Sequence, residues 1–93
     1  MELNIELGEI VSSTAGRDEG RYFVVIDIVN QNYVKIADGD LRKIENPKLK
    51  NIKHLNTTGE IVEELSIWLH NKKRVRDEDL KKVVRDYEQN KEA

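Results

Sequence analysis

Cysteine is absent from this 93-residue sequence, which excludes disulfides, thiolate metal sites and thiol nucleophiles. No apolar run approaches the length needed to span a bilayer. The N-terminus, MELNIELGEIVSS, carries acids rather than a basic region ahead of an apolar stretch. It does not read as a signal peptide, and a cytoplasmic location is expected. The two histidines, His54 and His70, stand without a carboxylate or second histidine at ligand spacing, so neither metal nor cofactor is expected. No nucleophile with a base, paired carboxylate site or P-loop is evident, which points away from an enzyme. A helix signature for reading DNA is missing as well.

What remains is 38% hydrophobic and 37% charged residues, the composition of one small soluble domain. A chain this short buries roughly two-thirds of its unfolded surface. A surface binding site therefore suits it better than a deep enclosed cavity.

The net charge of −2 conceals an uneven distribution. Residues 1–40 hold three cations against eight acids, net −5. Between 41 and 54 the sign reverses, with Arg42, Lys43, Lys48, Lys50 and Lys53 against Glu45 alone, net +4. A local positive patch on an otherwise acidic protein is what selective binding of a polyanion requires. A solvated lysine-rich turn would carry the same charges.

Hydrophobic periodicity divides the chain into a strand-rich part and a helical part. Ile5, Leu7, Ile10 and Val11 predict a strand ending by Ser13. The loop TAGRDEG follows, then YFVVIDIV over Tyr22 to Val29, too apolar for a one-sided strand and so expected at the centre of a curled sheet. Gln31 and Asn32 turn the chain into Tyr33, Val34 and Ile36. Asp38-Gly39 marks a second turn before a strand expected over Leu41 to Ile44, stopped by Asn46-Pro47. Ile52 to Leu55 completes about five short strands. Their connections are too short for parallel crossovers, so they pair antiparallel, and curling into a barrel removes exposed edges.

Thr57-Thr58-Gly59-Glu60 matches a capping box and predicts a helix directly after it, with Ile61, Leu65, Trp68 and Leu69 on one face. Asp77 is the expected cap of a second helix striped by Leu80, Val83, Val84 and Tyr87. The fold class expected is mainly β with α: a small antiparallel barrel over residues 1–56 followed by a helical hairpin over 57–93.

From Gly8 to about Leu55, roughly half the chain, the sequence resembles KOW-domain RNA-binding proteins. It is similar to KOW-containing large-subunit ribosomal proteins of archaea and eukaryotes and to small bacterial relatives. The matching residues are Gly8 before the Ile10-Val11 strand, Gly16-Arg17-Asp18 and Gly20 in the loop, the apolar strand after it, Asp38-Gly39, Arg42 and NPKLKNIKHL. The resemblance implies an SH3-like barrel whose loop and adjoining strand surface contact RNA, on or near the ribosome or another structured RNA. It departs at Glu19, where many KOW motifs carry lysine.

Physical chemistry suits these residues to that task. Gly16 and Gly20 can take positive φ and bring backbone amides close to a phosphate or base edge. Arg17 and Arg21 flank the acids of the loop, and Arg17 can fork onto a phosphate or stack on a base. Arg42, Lys43, Lys48, Lys50 and Lys53 supply charge, while Asn46, Asn51 and His54 add hydrogen bonds. The candidate RNA-binding set is thus Gly16, Arg17, Asp18, Gly20, Arg21, Arg42, Lys43, Asn46, Lys48, Lys50, Asn51, Lys53 and His54. Such short polar donors and cations fit structured RNA, read through shape, phosphates and 2′-hydroxyls. Structural roles compete: the glycines can simply turn the chain, Arg17 and Asp18 can pair, and Tyr22, Phe23 and Tyr33 suit core packing. The competing function is a protein-interaction adapter, in which Trp68 and the C-terminal helices dock a ribosomal or other protein on a scaffolding barrel.

Overall fold

The computed structural model describes residues 5–91. Five strands, β1 (Glu9–Ser13), β2 (Tyr22–Ile28), β3 (Tyr33–Ala37), β4 (Lys48–Asn51) and β5 (Leu55–Ile61), precede two helices, α1 (Glu63–His70) and α2 (Asp77–Lys91). Every ladder is antiparallel, in the order β4-β3-β2-β1-β5. The last strand thus returns beside the first, as in an SH3-like barrel. Short 3-10 turns occupy Gly16–Asp18 and Ile52–His54.

The sheet curls around its own apolar face. Leu55 on β5 and Val34 on β3 share one buried cluster with Val11, Phe23, Val25 and Ile36, although their strands lie three positions apart in the sheet. Register shifts between Glu9 and Val11 and between Val25 and Asp27 supply the local bends. Closure is incomplete: the described ladders do not join β4 to β5, which are connected through the 3-10 turn. The edge of β4 carries lysines instead, a common protection of an open edge.

β2 is apolar because both its faces are covered. Phe23 and Val25 enter the barrel, while Val24 lies under the helices in a second cluster with Ala37, Leu65, Val75, Leu80 and Val84. Trp68 and Leu69 of α1 pack half-buried against that second cluster. The expected α2 stripe is present: Leu80 and Val84 are buried, and Tyr87 meets Tyr22 in a T-shaped contact at 5.1 Å. The helices therefore dock on the barrel. None of the described helices is long and apolar enough to cross a membrane.

Five local expectations are corrected. Thr57 to Glu60 is not a helix cap but part of β5, which crosses the expected division at residue 56. Thr57 pairs with Val11, and the Thr58 hydroxyl donates to the Ile10 carbonyl at 2.6 Å. Long-range pairing by β-branched residues overrides the local capping pattern. The helix starts instead at Glu63, with no side-chain cap, and Glu63 and Glu64 complement its N-terminal dipole. Leu41 to Ile44 is a loop rather than a strand. Asp38 Oδ1 accepts the amides of Asp40 and Arg42 at 3.0 and 2.8 Å, and the Ile44 amide is taken by Asp77 Oδ1 at 2.8 Å. That bond also redirects Asp77 from its expected capping role; Asp79 Oδ2 accepts the Arg76 amide instead. Finally, Ile52 to His54 forms a 3-10 turn rather than a strand, because the Asn51 side chain accepts the Lys53 amide at 2.9 Å. At the other end, β1 begins only after Gly8, whose φ of +85° suits glycine and whose missing Cβ lets Ser66 of α1 approach.

Candidate nucleic-acid interface

The glycine loop between β1 and β2 is closed by its own backbone. The Gly20 amide donates to the Ser13 carbonyl at 2.8 Å, Arg21 to Asp18 at 3.0 Å and Ser13 to Arg21 at 3.1 Å. Gly20 has φ +84° and nothing within 4 Å of where a Cβ would stand, so the space before it is open. Gly16, at φ +80°, would meet only Lys50 Nζ.

Three ties bind this loop to the basic segment. The Thr14 amide donates to the His54 carbonyl at 2.9 Å. Lys50 Nζ donates to the Ala15 carbonyl at 3.1 Å. Arg42 Nε and Nη2 both reach Asp18 Oδ2, at 3.2 and 3.0 Å. Two stretches far apart in sequence thus form one surface.

The expected site residues divide into outward and inward groups. Gly16, Arg17, Gly20, Arg21, Lys43, Asn46, Lys48, Lys53 and His54 are exposed. Asp18 is only 2% exposed and Lys50 9%, while Arg42 and Asn51 are half-buried. Register explains Lys50: it stands opposite Val34, a barrel-core residue, and so faces inward. Lys48 lies opposite Ile36 on the same side, but at the strand's start, where it is exposed. Asn51 has its side-chain oxygen engaged by the Lys53 amide. Asp18 is a structural residue of the loop, its charge matched by Arg42, and it therefore repels phosphate less than the loop's formal charge suggests. Its other oxygen, Oδ1, is buried with no hydrogen-bond partner.

The inward roles of Lys50 and of the Asp18–Arg42 pair depart from the expectation that all three face a ligand. The alternation Lys48-Leu49-Lys50-Asn51 was the available signal for the first. A second buried acid lies in β1, where Glu9 is 2% exposed. Burial pushes its carboxyl above the usual range, opposed by a hydrogen bond from the Glu6 amide and assisted by the Glu6 charge. Among the described residues, no group of three His, Asp or Glu is placed to hold a metal ion.

A curled SH3-like sheet with this glycine loop laid against a basic strand defines a KOW-type barrel. Similarity to known proteins narrows the class. The chain is 40% identical over 55 residues to the large ribosomal subunit protein eL14 of Desulfurococcus amylolyticus, covering 58% of this chain and 56% of that protein. It is 36% identical over 59 residues to eL14 of Pyrobaculum arsenaticum, covering 63% and 57%. With eL14 of Methanococcus vannielii it is 30% identical over 59 residues, covering 63% and 70%. The chain belongs to the eL14 family of large ribosomal subunit proteins, and it spans a little over half the length of the first two relatives. No protein-family model matches the sequence.

Proposed function

We propose that this protein is a non-catalytic RNA-binding protein of the ribosome, acting in the cytoplasm on structured, ribosomal RNA. The observation that carries this reading is the triple tie between the glycine loop and the segment from Arg42 to His54. It sets exposed backbone at Gly16 and Gly20 beside the exposed cations Arg17, Lys48 and Lys53. The loop orients the RNA, and the outward cations supply most of the attraction. Membership of a ribosomal protein family supports the choice of RNA over other polyanions.

The adapter reading draws less support, because Trp68 and the apolar stripe of α2 pack against the barrel. Binding of large-subunit ribosomal RNA fragments tests the proposal. Affinity should fall steeply with salt, and a K48E/K53E variant should bind at least about tenfold more weakly. Unchanged affinity in that variant would contradict it. Lys50 is left untouched in this test, since a buried glutamate there would damage the fold.

A further inference from the structure

A groove of about 660 Å³ runs between the loop side of the barrel and α2, within the roughly 300–1,000 Å³ range of small-molecule sites. Its two walls come from different parts of the chain. Arg21 and Tyr22 contribute from the start of β2, and Lys81, Val84 and Arg85 from α2. Lys81 and Arg85 are four residues apart and so share a helix face. Both are exposed, and among the described residues neither forms an ion pair. Arg21 is half exposed and has only a long 3.9 Å contact with Asp38.

The lining is not that of a simple anion site. Asp40 and Glu88 also border the groove and are exposed. Asp38 lines it too, but its carboxylate is buried, accepts two backbone amides through Oδ1 and faces Arg21 through Oδ2. The groove therefore offers three cations for a phosphate, two free carboxylates for hydrogen-bond donors and the accessible part of the half-buried Tyr22 side chain, with Val84 buried behind it. A nucleotide has all three complements: a phosphate, donors on its base edge and 2′-hydroxyl, and a flat apolar face. Inorganic phosphate has only the first.

We infer that this groove receives one unpaired ribonucleotide of the bound RNA, its base against the accessible part of Tyr22 and its phosphate among Arg21, Lys81 and Arg85. The inference rests on the RNA-binding reading, since Arg21 continues the loop directly into the groove. It extends the interface from the basic segment, across the loop, onto α2.

Titration of the full chain with AMP, GMP, CMP and UMP, followed through backbone amide NMR shifts, tests it. At least one nucleotide should shift Gly20, Arg21, Tyr22 and Arg85, and inorganic phosphate or ribose 5-phosphate should do so far less. In a K81A/R85A variant, both changes being exposed and helix-compatible, mononucleotide affinity should drop about tenfold. Equal shifts from phosphate alone, no shifts at the groove, or full affinity in the variant would each overturn the inference. The outcome separates from that of the wider proposal: K48E/K53E protein should keep its mononucleotide shifts in the groove while losing RNA affinity.

Discussion

The segment from Arg42 to His54 contains two kinds of cation, and their difference governs the proposed interface. Lys48 and Lys53 project into solvent, whereas Lys50 and Arg42 turn back and hold the glycine loop at the Ala15 carbonyl and the Asp18 carboxylate. The same charge at neighbouring positions thus does different work. Outward cations attract a polyanion at long range. Inward ones fix the shape of the surface it meets, at the cost of desolvating their own charge.

The comparison can be broken most severely at Arg42. R42A leaves the buried Asp18 carboxylate without its partner and should cost about 2–3 kcal/mol, less than for a fully enclosed pair because Arg42 is partly exposed. Thermal unfolding should show the loss, and R42A/D18N should recover part of it. Next in size is K50M, which keeps the buried stem but removes the bond to Ala15. Chemical denaturation should report a loss of about 1 kcal/mol.

Glu9 extends the comparison to an inward charge that has no cation beside it. Its folded-state carboxyl lies above its unfolded value because burial disfavours the charged form. The associated stability is therefore fully present below the unfolded range and lost as pH rises through the folded value. Wild-type protein should lose stability relative to E9Q as pH rises above the ordinary carboxylate range. A pH-independent difference in denaturation midpoint would remove this assignment. The smallest effect on stability belongs to the outward group: K48M and K53M should each change it by no more than about 0.5 kcal/mol.

Elements specified by local pattern were legible in the sequence. The uninterrupted apolar run of β2 reflects coverage on both faces, and the stripe of Leu80, Val83, Val84 and Tyr87 marked the buried side of α2. The turn at Asp38-Gly39 was equally clear, since Asp38 closes it through its own side chain. Features decided by distant partners were not legible. Thr57 to Glu60 has the local chemistry of a helix start, yet pairing with β1 makes it a strand. The Asp18–Arg42 pair links positions 24 residues apart. Charge counting assigned Lys50 to the ligand, and only its register opposite Val34 turns it inward.

The most direct measurement is the salt dependence of RNA affinity for K50M and K53M side by side. Under the proposed function Lys53 meets a phosphate, so in K53M the slope of log affinity against log salt should shrink by about one. K50M should bind more weakly through a displaced loop, with the slope of the wild-type protein. A slope reduced equally in both variants would show that Lys50 meets the phosphate itself, and would contradict the division into inward and outward cations.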